Sequence, residues 1–212
     1  MPGYPVDLRL EGRACVVVGG GAVACRKVEG LLRAGARVRV VAPSPDPQLL
    51  DHAAAGRVEL VRRPYAPGDL AGAFLAIAAT DDAAVNAAVL REARSERVLL
   101  NVVDDPAHCD FYVPAVVERG ELTIAVSTGG QSPRFASRLR EELERRYGPE
   151  YGEWVALLGQ LRRTAAARIS DPTRRRELQQ AAGSLEFDQY LREGRLDEAR
   201  SRLEELLRCH LE

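Results

Sequence analysis

The sequence predicts an α/β fold, with a doubly wound and mostly parallel sheet in the first half of the chain. Five short apolar runs alternate with Ala- and Leu-rich segments of helical periodicity up to about residue 105. Each run is continuously hydrophobic rather than alternating, which is typical of strands buried on both faces. The five predicted strands are residues 14–18, 38–42, 58–61, 74–79 and 98–103.

A helix is predicted between the first two strands, over residues 22–34. Its apolar residues Ala24, Val28 and Leu31 recur at helical spacing, and Gly35 can end the helix. A strand, a helix and a second strand in this order predict parallel pairing with a right-handed crossover.

The chain beyond residue 110 has a different rhythm. Two apolar runs, 112–117 and 122–127, predict a β-hairpin, and a helix is expected over 133–146 with Ser132 as its cap and Pro133 in its first turn. The remainder predicts an all-helical region. We therefore expect three regions, which are residues 1–110, 111–148 and 149–212.

Composition excludes several classes of protein. The chain has 212 residues, 46% of them hydrophobic, and a formal net charge of -1, so neither nucleic acid nor a membrane surface is an expected partner. No apolar run approaches the roughly 20 residues that span a bilayer. The four cysteines are scattered, which favours reduced thiols. The N-terminus has no apolar segment of a secretory signal. These features predict a soluble, cytoplasmic protein.

A glycine motif follows the first strand. Gly19, Gly21 and Ala24 form G-x-G-x-x-A, which in a Rossmann-like βαβ unit binds the pyrophosphate of a dinucleotide at the helix N-terminus. The alternative is a merely structural turn. The second strand should end in an acidic residue that binds the ribose, but Pro43 and Ser44 stand there. The choice between NAD and NADP therefore stays open.

Three strand ends should meet where ligands bind in such sheets, namely residues 19–24, 79–82 and 101–106. Asp104 directly follows the fifth predicted strand and could project into the crevice as a general base. The alternative is an aspartate that caps the turn before Pro106.

The segment 104–110 gathers three Asp, one His and one Cys, which are all metal-ligating side chains. Neighbouring residues of one loop rarely make a good ligand set, so an ordinary loop is the alternative. We expect no resident metal site.

Three features could bind an acidic ligand. The turn 127–134 offers backbone N–H groups before a helix, and Lys27 is the only lysine of the chain, beside Arg26. Residues 134–176 contain eleven Arg and six Asp or Glu. The alternatives are an ordinary strand-to-helix turn and solvated helical faces.

These motifs together resemble the dehydrogenase domain of siroheme synthases, the precorrin-2 dehydrogenase / sirohydrochlorin ferrochelatase family. The matching segments are VVVGGGAVACRK, AIAATDDAAVN and NVVDDPAHCDFYVPAVVERGELTIAVSTGGQSP. The resemblance runs from about residue 5 to residue 147 and continues more weakly into the helical region.

The resemblance implies NAD-dependent oxidation of precorrin-2 to sirohydrochlorin, followed in some members by insertion of Fe²⁺, with Co²⁺ as the other metal to consider. It implies a homodimer formed through the hairpin and the helices. The key aspartate of the family falls on Asp104. With the glycine motif, the cofactor contacts are Gly19, Gly21, Ala22, Val23, Ala24, Pro43, Ser44, Ala79, Thr80, Asp81 and Val102.

The implied substrate is a tetrapyrrole with eight carboxylates, which the basic residues and the second glycine turn could bind. The expected substrate contacts are Lys27, Ser127, Thr128, Gly129, Gly130, Arg134 and Arg138. Asp104 and His108 are candidates for transient contact with an inserted metal. Two other functions stay open. One is a non-catalytic NAD-sensing module with a partner-binding helical tail, and the other is a chelatase with a vestigial cofactor site.

Overall fold

The structure is a computed structural model that describes residues 3–211. It forms two compact units, of which the first ends at Val113 and the second begins at Pro114. The first two residues of the expected N-terminal region, and Glu212 at the end of the expected C-terminal region, lie outside the described residues. The division into three regions stays a prediction.

The first unit contains a five-stranded parallel sheet in the order β3-β2-β1-β4-β5, which confirms the predicted fold class. In this register Val18 lies opposite Val41 on one side and Ala78 on the other. The second, fourth and fifth strands differ from the prediction by one residue at each end, so Val103 separates Asp104 from the last strand. The strands are β1 (Ala14–Val18), β2 (Arg37–Val41), β3 (Val58–Val61), β4 (Leu75–Ala78) and β5 (Leu99–Val102).

Helices cover both faces of this sheet, which explains the continuous hydrophobicity of the strands. Val17 packs on one face in a cluster with Val28 of the first helix, and Val18 packs on the other face in a cluster with Val89 of the third helix. The first helix ends one residue before the prediction. Gly35 follows at φ 74° and donates its N–H to the carbonyl of Leu32, so it ends the helix as expected. The helices are α1 (Ala22–Arg33), α2 (Pro47–Ala54) and α3 (Ala83–Glu96).

A loop, rather than a helix, connects β3 to β4. Buried Asp69 holds this loop by accepting two hydrogen bonds from the Arg63 guanidinium, at 2.6 and 2.8 Å, and one from the backbone N–H of Ala66. The Arg63 guanidinium keeps the pKa of Asp69 below its usual range. Glu92 of α3 accepts the backbone N–H of Leu70 at 2.8 Å, so the loop is also fastened to the neighbouring helix.

The second unit begins with an antiparallel hairpin, β6 (Ala115–Arg119) and β7 (Leu122–Val126). The prediction of a strand from residue 112 was wrong, because Pro114 has no N–H to contribute to a ladder. The turn is also shorter than expected. Arg119 pairs with Leu122, which leaves only two residues between the strands.

Five helices complete the second unit. The first of them has its predicted bounds, and Ser132 caps it by accepting the backbone N–H of Phe135 at 3.3 Å. Trp154 stacks on Phe187 at 4.9 Å in the apolar core of the later helices. Within residues 3–211, no helix is both long and apolar enough to cross a membrane. The helices are α4 (Pro133–Arg146), α5 (Glu150–Arg168), α6 (Pro172–Ala182), α7 (Leu185–Arg192) and α8 (Leu196–Leu211).

Candidate active site

The glycine turn, residues 19–21, is wedged between the ends of β2 and β4. Gly19 has φ 130°, and a Cβ on it would lie 2.1 Å from the carbonyl oxygen of Ala79. A Cβ on Gly20 would lie 2.8 Å from the carbonyl oxygen of Ser44. The turn therefore has no room for side chains at its first two positions, and it packs against the residues that follow β2 and β4.

The N-terminus of α1 is open to an anion. Gly21 is the residue before the helix, and among residues 3–211 no side chain caps the first turn, which also holds no acidic residue. A Cβ on Gly21 would meet no atom within 4 Å. By contrast, Asp46 caps α2 and Asp82 caps α3. The N–H groups of Ala22, Val23 and Ala24 in the first turn of α1 are therefore available to a phosphate group.

The end of β4 is shaped by a residue that the sequence did not single out. Asn86 donates its side-chain N–H to the carbonyl of Thr80 at 3.0 Å, and its Oδ1 is buried without a hydrogen-bond partner in the described part of the chain. The Thr80 hydroxyl accepts the N–H of Asp82 at 3.2 Å. Both the carbonyl and the hydroxyl of Thr80 are thus hydrogen-bonded. Its neighbours are Ala79, which contacts the glycine turn, and exposed Asp81.

An acidic residue, Asp46, does lie near the end of β2, but its side chain caps a helix. Pro43 and Ser44 are exposed at this strand end, as the sequence suggested. Asp46, just beyond them, accepts the N–H of Gln48 at 3.0 Å. Burial raises the pKa of the Cys25 thiol, and the nearby Asp46 carboxylate raises it further. The Asp46 carboxylate therefore caps α2 and lies near Cys25 of α1.

Asp104 lies in a turn that we call the aspartate turn, residues 103–109. The N–H of Val103 donates to the carbonyl of Ala78 at 2.9 Å, so this turn starts beside the end of β4. Asp104 is exposed and has φ 59°, a left-handed conformation that is uncommon for a residue with a side chain. Its carboxylate makes no hydrogen bond or ion pair within the described residues, so it does not act as a cap there.

The neighbouring Asp105 takes the structural part in this turn. It precedes a short 3-10 turn, Pro106–His108, and its carboxylate pairs with Nδ1 of His108 at 2.6 Å. Among residues 3–211 no group of three or more His, Cys, Asp or Glu side chains could hold a metal ion.

Lys27 lies on α1 near the aspartate turn. It is partly buried and has no hydrogen bond or ion pair with any described residue. Burial lowers the pKa of Lys27, and the neighbouring Arg26 lowers it further, whereas Cys109 and Asp104 act in the opposite direction. The first unit therefore places a single ammonium group within electrostatic reach of Asp104.

The other expected substrate contacts belong to the second unit. The Ser127 hydroxyl accepts the N–H of Gly129 at 3.2 Å, and the Thr128 hydroxyl accepts that of Ser132 at 3.0 Å. These internal bonds occupy N–H groups that the sequence suggested would be free for a carboxylate. Gly130 provides the second positive φ of the turn, at 80°. Carboxylate binding by this turn stays a prediction.

Two exposed arginines on α4 remain available for an acidic ligand. Arg134 has no hydrogen bond or ion pair in the described part of the chain, and the guanidinium of Arg138 lies 4.9 Å from the ring centre of Phe135. Their role as substrate contacts stays a prediction.

A parallel sheet with an uncapped glycine turn, beside a second turn that presents a carboxylate, defines an α/β protein of the dinucleotide-binding class. Comparison with known proteins agrees. Residues 6–115 match the family described as "Putative NAD(P)-binding", and residues 119–146 match the family "Sirohaem biosynthesis protein central". The chain belongs to the siroheme synthase dehydrogenase-domain family.

Similar proteins cover almost the whole chain. A siroheme synthase of Methylobacillus flagellatus is 43% identical over 83% of this chain and 38% of its own length. A siroheme synthase of Thioalkalivibrio sulfidiphilus is 39% identical over 99% of this chain and 43% of its own length. The chain thus spans about two fifths of these relatives. The solved structure of SirC, a precorrin-2 dehydrogenase, is 30% identical, with a TM-score of 0.76 over 95% of this chain and 99% of SirC.

Proposed function

We propose that the chain catalyses the NAD-dependent dehydrogenation of precorrin-2 to sirohydrochlorin. The observation that carries this proposal is the pairing of two turns at one edge of the sheet. The glycine turn packs against Ala79, and the aspartate turn begins on the carbonyl of Ala78. The similarity to SirC over almost its full length supports the choice of substrate.

The residues of the first unit fit the cofactor. The uncapped N–H groups of Ala22 and Val23 would bind the pyrophosphate, with Gly21 leaving open space for its approach. Pro43 and Ser44 would border the ribose nearest to β2, and the segment around Thr80 would border the rest of the adenosine. When bound, NAD supplies the acceptor for a hydride from the macrocycle.

Asp104 would supply the base. Dehydrogenation removes a hydride and a proton from the macrocycle, and an exposed carboxylate that pairs with none of the described residues can accept that proton. Lys27 would bind a substrate carboxylate, because a partly buried ammonium group gains most from an anionic partner.

A pair of neighbouring substitutions tests this function. Asp104→Asn keeps the shape of the side chain and tolerates a positive φ, but it removes basicity. We expect kcat to fall by about 10²- to 10⁴-fold with unchanged NAD affinity. Asp105→Asn is the matched control and should lower kcat much less, because Asp105 pairs with His108. A near-native rate for Asp104→Asn would assign the base to another group.

Metal insertion is a further step that the site could support. Asp104 could accept pyrrole protons as Fe²⁺ or Co²⁺ enters the product. His108, the only histidine of the aspartate turn, could contact the metal transiently. The metal would be a substrate of this step. Incubating sirohydrochlorin with Fe²⁺ and then with Co²⁺, and following the absorbance, tests this step.

We also propose that the chain forms a homodimer. Supporting this, β6 and β7 form a sheet of only two strands, so each has an outer edge that no described strand pairs. An isolated hairpin is marginally stable, and pairing with a second copy would extend its sheet. Light scattering after size-exclusion chromatography measures the mass of the assembly. A monomeric mass at micromolar concentration would rule the homodimer out.

The alternative function is a non-catalytic NAD-sensing module with a partner-binding helical tail. The exposed Asp104 carboxylate, which pairs with no residue of 3–211, disfavours it, because binding of NAD alone does not require an acid at this position. Such a module would bind NAD without producing NADH from precorrin-2.

A further inference from the structure

The thiol of Cys109 closes the aspartate turn. Its Sγ accepts the N–H of Val102 at 3.3 Å and lies 3.2 Å from the carbonyl oxygens of both Val102 and Asp105. The side-chain N–H of Asn101 also donates to Sγ at 3.4 Å. One thiol thus joins the end of β5 to the residue that follows Asp104. A thiol has one proton, so it donates to one of the two carbonyls at a time.

Asp104 needs such support because its backbone is in an unfavourable conformation. A left-handed conformation is unfavourable for a residue with a Cβ, although less so for Asp, and it persists only where its surroundings enforce it. Apart from Cys109, the N–H of Asp105 donates to the carbonyl of Val102 at 3.3 Å. The thiol is therefore the side chain that bridges the two ends of the strained segment.

Other roles for Cys109 fit the structure less well. Burial raises the pKa of its thiol, which disfavours a nucleophilic thiolate. Asn101, which donates to it, is buried at 7% exposure and also binds the carbonyl of Phe111 at 2.9 Å. Cys109 therefore belongs to a packed hydrogen-bonded layer beneath Asp104.

We propose that Cys109 is a positioning residue for the dehydrogenation, holding the Asp104 carboxylate in the orientation in which it accepts the proton. This inference rests on the proposed function, in which Asp104 is the base. A base that is misplaced by about 1 Å can lower the rate by up to 10²-fold. Cofactor binding should depend little on Cys109, because the glycine turn follows β1 and the thiol hydrogen-bonds with Val102 only through its backbone N–H and carbonyl.

The test compares Cys109→Ala, Cys109→Ser and the control Cys209→Ala, which removes an exposed thiol from α8. Steady-state dehydrogenation of precorrin-2 gives kcat and KM, and calorimetry gives the NAD affinity. For Cys109→Ala we expect kcat to fall about 10-fold or more, with KM and NAD affinity changed less than about twofold. Cys109→Ser should recover part of the rate, since a hydroxyl keeps a donor and an acceptor. Cys209→Ala should match the native chain.

A double-mutant comparison separates this inference from the proposed function. In the Asp104→Asn background, Cys109→Ala should lower kcat no further, since the base that it positions is gone. A native kcat for Cys109→Ala, or an equal loss in both backgrounds, would overturn the positioning role. A native kcat for Asp104→Asn alone would instead overturn the assignment of the base. If Cys109→Ala does not fold, Cys109→Ser takes its place, with an expected loss of a few fold.

Discussion

The glycine turn and the aspartate turn follow buried strands at the same edge of the sheet, and each contains a residue with positive φ. Gly19 adopts φ 130° where a side chain would strike the carbonyl of Ala79. Asp104 adopts φ 59° and keeps its side chain. The first turn has no side chains at Gly19 and Gly20 because backbone carbonyls lie too close, and the open space at Gly21 lets an anion approach the N–H groups of α1. The second must present a carboxylate, so the protein holds an unfavourable backbone by ties such as the Cys109 thiol.

Asp104→Gly should separate activity from stability in the aspartate turn. It removes the base, so the dehydrogenation rate should fall by about 10²- to 10⁴-fold. The free energy of unfolding should change by less than about 1 kcal/mol, because relief of left-handed strain offsets the greater freedom of glycine in the unfolded chain. Activity assays and denaturant unfolding measure the two quantities. A large loss of stability would show that the Asp104 side chain supports the fold instead.

Gly19→Ala, unlike Asp104→Gly, should lower the stability of the fold. The new Cβ would lie 2.1 Å from a backbone carbonyl oxygen, at a φ that Ala avoids. We expect a loss of roughly 3 kcal/mol in the free energy of unfolding, together with weaker NAD binding. Gly12→Ala is the matched control, because Gly12 has φ 67° but open space around its Cβ position. It should lose about 1 kcal/mol. Equal losses in the two variants would argue against steric closure at Gly19.

Gly21→Asp should affect the cofactor and leave the fold intact. Gly21 has φ -85° and open space, so the side chain itself strains nothing in the chain. Its negative charge would face the pyrophosphate, and we expect NAD affinity to fall about 100-fold or more. Gly21→Asn, which has similar size and no charge, separates the Coulomb effect from the steric one. Unchanged affinity in folded Gly21→Asp would remove the glycine turn from the cofactor site.

Lys27 should give the smallest effect, visible in the pH dependence of stability. Its folded-state pKa is lowered by burial and by Arg26, below the unfolded value of about 10.4. Between these two values the unfolded chain binds more protons, so this residue makes stability rise with pH across that alkaline window. Lys27→Met should lack the rise, and Arg26→Met should reduce it. Denaturant unfolding at several alkaline pH values measures this rise in stability. Identical stability profiles for the native chain and Lys27→Met would contradict the prediction.

The sequence alone predicts features that depend on local chemistry. Gly19 and Gly21 are recognisable because a strand, a glycine turn and a helix follow one another directly. Asp104 is recognisable because it stands just after a buried strand. By contrast, the contacts of Asn86 with Thr80 and of Cys109 with Val102 depend on how the short segments between these ordinary-looking residues fold. No local pattern distinguishes such a thiol from any other partly buried cysteine.

Errors in the prediction have similar causes. The hairpin was expected to start at residue 112 because apolar character continues through Pro114, but backbone pairing starts only at Ala115. In the turn after β7, the Ser127 and Thr128 hydroxyls accept N–H groups of the turn itself, a local arrangement that the sequence did not reveal, and carboxylate binding by this turn stays a prediction. Small polar side chains that bond to their own backbone are hard to read from sequence, because the same residues also serve as ligands.

The most direct test is to mix the purified chain with precorrin-2 and NAD without oxygen, and to follow NADH and sirohydrochlorin together by absorbance. We predict one NADH for each sirohydrochlorin formed, no reaction without NAD, and a rate at least about 100-fold lower for Asp104→Asn. Binding of NAD with no formation of NADH, at any precorrin-2 concentration, would contradict the proposed dehydrogenase and favour the sensing module.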